Sequence, residues 1–161
     1  MQTDYSINRT RAFTGLNADS RIPTEVVTAS AGEVLAWGDA VYVSDWTEAE
    51  DKIVVKKLAA GQTNIFGFVY FEHRQRNAEN ETISLNQEVP ILRKGAIYVD
   101  ETAGAVVAGN NVVVDATTRK LQSSSASGDK IHHGVQFLSG AAEGKLVKVQ
   151  ANLPSYIETV A

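Results

Sequence analysis

The feature that most constrains this chain is a succession of short apolar runs, each only a few residues long and each closed by a turn signal. Between residues 24 and 149 such runs recur at 24–28, 33–36, 40–43, 52–58, 64–71, 82–85, 88–92, 96–99, 111–114, 130–138 and 145–149. Glycine or a small polar cluster separates them roughly every 8–12 residues, and no stretch of a dozen residues keeps apolar positions at i, i+3, i+4 and i+7. Valine outnumbers leucine 19 to 9, and β-branched residues fit a pleated, half-buried surface. The pattern predicts an all-β domain, either a single β-barrel or a jelly-roll-like sandwich. At 161 residues the chain can bury a core without a metal or disulfide.

Within this pattern one stretch echoes another. GEVLAWGDAVYVSD at 32–45 and GAVVAGNNVVVD at 104–115 share a glycine, an apolar run, a Gly-polar turn and a Val-x-Val run ending in aspartate. Each is followed by a lysine-bearing run (Lys52, Lys120), a turn glycine (Gly61, Gly128) and a second glycine six residues on (Gly67, Gly134). Gly38-Asp39 and Gly109-Asn110 suit tight turns with positive φ. The echo fits a duplicated β-unit, although Val- and Gly-rich sequences also generate such matches unaided. Gly67, inside the most aromatic run, predicts a bulge or a close backbone approach.

Residues 1–23 follow neither period and read as an extended N-terminal arm ahead of a β-body at 24–161. Three arginines and two aspartates give residues 1–23 a charge of 3 − 2 = +1, whereas the whole chain is −4, so the body carries −5. That acidic body argues against nucleic acid as a partner. The start lacks a basic segment leading into an apolar one, and no apolar run approaches the ~20 residues of a membrane span. The expectation is a protein made in the cytoplasm, with no membrane partner.

The chemistry-bearing residues do not assemble into a recognisable site. The chain has no cysteine, which removes thiolate nucleophiles and every cysteine-based metal centre. His132 and His133 are adjacent on a predicted strand, so they point to opposite faces and cannot chelate one ion, with one expected inward and one in solvent. Glu48, Glu50 and Asp51 form a charged excursion, and Asp39, Asp45, Asp100 and Asp115 sit where aspartate serves turn geometry. No Gly-x-Ser-x-Gly elbow and no phosphate-cradling glycine motif occurs. The reading is a non-enzyme with no cofactor or metal. What remains is surface: Tyr5, Arg9, Arg11, Phe13 and Arg21 on the arm, Trp46 in the acidic excursion, and His73, Arg74 and Arg76 in a polar loop. Arginine and aromatic residues of this kind are enriched at interfaces.

These residues resemble a known family. AGEVLAWGDAVYV at 31–43, NIFGFV at 64–69, VPILRKGAIYV at 89–99 and AGNNVVVD at 108–115, together with an arm carrying Phe13-Thr14-Gly15, are similar to the structural cement, or head decoration, proteins of tailed bacteriophages. The resemblance implies a β-barrel or jelly-roll body on the outer surface of the virion, with the major capsid protein as partner and a homo-oligomer, dimer or trimer, on the lattice. It implies no catalytic residues, and it places the capsid contacts on the arm and on edge loops such as that of Arg74 and Arg76. The alternatives from the residues themselves are another virion β-module, such as a tail component, or a carbohydrate-binding jelly roll.

Overall fold

The computed structural model describes residues 12–47, 50, 52–71, 82–154 and 156–161. Among these residues the regular structure is all strand: β1 (Glu25–Ala31), β2 (Leu35–Ala36), β3 (Ala40–Thr47), β4 (Lys52–Lys57), β5 (Gly67–Val69), β6 (Thr82–Ile83), β7 (Glu88–Val99), β8 (Asn111–Val114), β9 (Leu121–Gln122), β10 (Lys130–Phe137), β11 (Val147–Asn152) and β12 (Ile157–Thr159). The main sheet runs β1-β4-β3-β5-β7-β11-β10-β8-β9, with β12 on β10, and β1 also pairs with β7. That extra pairing closes the first five strands into a barrel.

The second half repeats the connectivity of the first. β3 pairs with β4 and β5, and β8 pairs with β9 and β10 in the same way. β5 continues to β7 as β10 continues to β11. β1 is parallel to β4 at Ser30↔Val54 and Ala31↔Val55, and beyond the end of β7 Thr102 makes a parallel bridge to Leu121 of β9. Even the small β2–β6 pair, Leu35↔Ile83, has a counterpart in the bridge Val106↔Ala141. The echo in the sequence is therefore a duplication of topology. The two turns it rested on, at Gly38 and Gly109, have φ of 84° and 87°.

β7 serves both halves, and a one-residue bulge lets it do so. Glu25 pairs with Lys94 but Val26 with Leu92, leaving Arg93 as the extra residue. Its guanidinium donates to the Phe66 carbonyl at 2.5 Å and lies 4.2 Å from the Phe66 ring centre. The extra residue switches the parity of the strand. Val89 and Ile91 face a core formed with Ala29, Leu35, Trp37, Val41, Val55 and Val69. Leu92, Ile97 and Val99 face a second core with Val112, Val135, Phe137 and Val149. Phe68 and Leu58 of the first half are buried in that second core, so the halves share packing as well as a strand.

Gly67 is required by closeness. A Cβ there would lie 2.3 Å from Ile91 Cγ2 and 2.6 Å from the Leu92 carbonyl oxygen, which puts backbone where a side chain would be. The close approach predicted at this position is present.

Candidate functional site

Residues 13–18, assigned from the sequence to the arm, are bound into the body. The Gly15 and Ala18 amides donate to the Tyr98 and Ala96 carbonyls at 2.8 and 3.0 Å, and the Tyr98 and Phe71 amides donate to the Leu16 and Gly15 carbonyls at 3.1 and 2.9 Å. Two glycines permit this crossing. Gly15 has φ 82°, and a Cβ on it would lie 2.8 Å from Trp37 Cβ and 3.0 Å from the Gly38 nitrogen. Above the crossing, the Phe13 ring meets Phe71 edge-on at 4.8 Å, and Phe71 meets Trp37 edge-on at 5.1 Å.

The sequence-predicted contact residues separate on this frame. Phe13 is 8% exposed and spends its ring inside the molecule, so its surface is not offered to a partner. Arg21 is exposed and forked onto Asp19, its Nη2 2.8 Å from Oδ2 and its Nε 3.0 Å from Oδ1. The Arg21 hydrogen bonds hold the Asp19 carboxyl down at about 2. Trp46 lies on β3 and not in a loop, with 53% of its surface exposed, because the strand continues past a bulge between Val43 and Asp45 to Thr47. Tyr5, Arg9, Arg11, His73, Arg74 and Arg76 lie outside the described residues. Their segments nevertheless attach to neighbouring points. Residues 1–11 precede the buried Phe13, and residues 72–81 follow Phe71, the ring that Phe13 touches.

Where the two halves meet, a cleft of about 520 Å³ is lined by Ala40, Lys57, Asp100, Glu101, Arg119 and Lys120 among others. Lys57 Nζ is 2.5 Å from Glu101 Oε1 and 3.7 Å from Asp39 Oδ1. Asp39 is only 5% exposed, and its Oδ2 accepts the Ala36 amide at 2.8 Å, the turn role expected of it. Burial pushes its carboxyl up to about 6, against the opposing pull of the Ala36 N–H and Lys57. On the far side, His132 is fully buried and His133 exposed, as two neighbours on a strand must be. His132 Nε2 donates to the Thr63 carbonyl at 3.1 Å and its Nδ1 has no partner among the described residues. Burial lowers that imidazole to about 4. Among the described residues no group of three His, Asp or Glu could hold a metal ion.

These two groups oppose one another in acid. Between about pH 4 and 6 the folded chain keeps a proton on Asp39 that the unfolded chain has released, so this contribution to stability falls as pH rises. Over nearly the same window the unfolded chain binds a proton at His132 that the folded chain refuses, so this contribution is lost as pH falls. Each amounts to on the order of 3 kcal/mol at full extent, from shifts of about two units. Asp39→Asn removes the first slope and leaves the second. Urea unfolding should therefore show the variant gaining roughly 2–3 kcal/mol on the wild type between pH 4 and 7. A difference that stays constant across that range would mean Asp39 does not titrate there.

Comparison with known proteins gives two results. The family profile described as structural cement protein (E217 gp24/Pam3 gp6) matches residues 1–152. The solved N base of the head fiber gp8.5 of bacteriophage phi29 superposes with a TM-score of 0.51 at 14% identity, covering 80% of this chain and 94% of that one, a likeness of fold. No curated protein matches the chain.

Proposed function

The chain belongs to the phage structural cement proteins, and from that membership we propose that it binds the outer surface of an assembled phage head and holds neighbouring major capsid subunits together. Membership gives it a structural, capsid-associated role in the virion. The observation that carries the finer reading is the common root of the two segments outside the described body. Residues 1–11, with Tyr5, Arg9 and Arg11, and residues 72–81, with His73, Arg74 and Arg76, attach on either side of the Phe13–Phe71 contact. A rigid duplicated barrel presenting two contact segments from one point can touch more than one subunit. The exposed Trp46 adds a further contact surface. Synthesis in the host cytoplasm and assembly as a dimer or trimer on the lattice belong to the same proposal.

The energetics suit the role. A ligand that binds the assembled lattice and not free subunits stabilises the lattice by mass action. Clasping several subunits with individually weak contacts gains affinity through effective concentration. Purified protein added to heads that lack it should raise their disruption temperature in a saturable way. Heads that disrupt at the same temperature with and without it would remove the proposal.

A further inference from the structure

The outward face of β10 and β11 carries a polar groove that neither half of the fold needs for its own packing. Val135, Phe137, Val149 and Ala151 point into the core, which sends Gly134, Gln136, Gln150 and Asn152 to the other face. Gln136 is paired directly with Gln150 across the strands, and Val135↔Ala151 sets Gly134 opposite Asn152. At Gly134 the missing side chain leaves a depression between these amides. It has a volume of about 240 Å³ and is lined by His133, Gly134, Gln136, Gln150 and Asn152. No described residue hydrogen-bonds the side chains of Gln136, Gln150 or Asn152. Each therefore presents two donors and one carbonyl acceptor to whatever enters.

Beside the groove, against the His133 ring that lines it, sits an exposed aromatic. Tyr156 is 71% exposed, yet its ring lies 5.3 Å from the His133 ring at a tilt of 33°. The Tyr156 carbonyl accepts the His133 amide at 3.0 Å, and the next residue, Ile157, pairs with His132. His133 is in turn held from both nitrogens, donating from Nε2 to Glu158 at 3.0 Å and accepting at Nδ1 from Asn111 Nδ2 at 3.4 Å. An exposed aromatic resting on a neighbouring ring presents contact area at little entropic cost.

We propose that this groove is a saccharide subsite, in which a neutral sugar ring lies along the His133 wall toward Tyr156 and its hydroxyls bond to Gln136, Gln150 and Asn152. Unpartnered amides both give and accept hydrogen bonds, as a polyhydroxylated ligand requires, while the floor supplies no unpaired charge to favour a phosphate or carboxylate. Glu158, which does not line the groove, is engaged by His133. The volume is below the ~300–1,000 Å³ of ordinary small-molecule sites, which suits one ring of a longer glycan. Single-ring affinity in so open a groove is weak, and display in many copies makes it useful.

The test uses the purified protein, biotinylated and multimerised on streptavidin, on an array of neutral and charged glycans, with no capsid present. Wild type should be retained on a subset of neutral glycans. Tyr156→Ala and the double variant Gln136→Ala/Gln150→Ala should each lose at least tenfold of that signal while keeping the wild-type unfolding midpoint, since Tyr156 and Gln136 are exposed and Gln150 is only half-buried. Retention of no glycan by wild type, or equal retention by both variants, overturns the proposal. So does loss of head binding by these variants in a separate assay on phage heads, with glycan binding absent from the array, which would assign the face to the capsid. Because the array contains no heads, failure here leaves the capsid reading standing, and the reverse also holds.

Discussion

Phe68→Ala should cost about 3–5 kcal/mol of folding stability and lower the unfolding temperature by roughly 10 °C, in one cooperative transition. Phe68 is fully buried, its strand β5 belongs to the first barrel, and its ring belongs to the second core. Truncation leaves a cavity between Leu92 and the β10–β11 side of that core, where neither half can collapse without moving the shared β7. Against a total stability of about 5–15 kcal/mol, such a loss threatens the whole fold. The exposed Val107, changed to alanine, should alter stability by no more than about 0.5 kcal/mol. Calorimetry decides the point. If Phe68→Ala split the melt into two transitions, or left an early one untouched, the halves would be independent modules and the shared core would not couple them.

The duplication was legible because turns are written in residues of special conformation. Glycines at 38, 61, 109 and 128 all have positive φ, and the Val-x-Val runs after them became β3 and β8. What was not legible came from tertiary pairing. β9 and β12 are two and three residues long, too short to show a period, and exist because β8 and β10 offer them partners. β7 read as two strands around Arg93-Lys94-Gly95, since a bulge and a turn use the same residues. The Arg93 stack on Phe66, which holds the bulge, links positions 27 residues apart and leaves no local trace.

The candidate contacts show the same division. Phe13 looked like a partner-facing aromatic because its segment has no period, but its ring meets Phe71, which in turn meets Trp37, an arrangement invisible until Gly15 crosses Gly38. Trp46 looked like a loop residue because acid surrounds it, and strand pairing with Ile53 decided otherwise. Asp39 was readable as a turn residue, but its burial depends on its place beside Lys57 and Glu101, where the halves meet. The amides at 136, 150 and 152 did leave a signal, polar residues at period two on either side of apolar ones. It marks an outward face without saying that Gly134 hollows it.

A cut after Arg11 and a cut after Ala18 should behave as two different experiments. Removing residues 1–11, with an initiating methionine restored, leaves Phe13 on Phe71 and the four backbone hydrogen bonds to Ala96, Tyr98 and Phe71 in place. The folding stability should stay within about 0.5 kcal/mol of the intact protein, while binding to heads should fall at least tenfold. Removing residues 1–18 strips a buried aromatic worth about 3–5 kcal/mol. It also bares the faces of Trp37 and Phe71 and leaves the Ala96 and Tyr98 edge unpaired, so this protein should lose stability heavily, bind apolar dye and aggregate on warming. Phe13→Ala separates fold from contact: it should destabilise like the longer cut, yet bind heads as the intact chain does at temperatures where it remains folded. Undiminished head binding by the protein lacking residues 1–11 would take the clasp away from Tyr5, Arg9 and Arg11. The loop of His73, Arg74 and Arg76 and the exposed Trp46 would then have to supply the contacts.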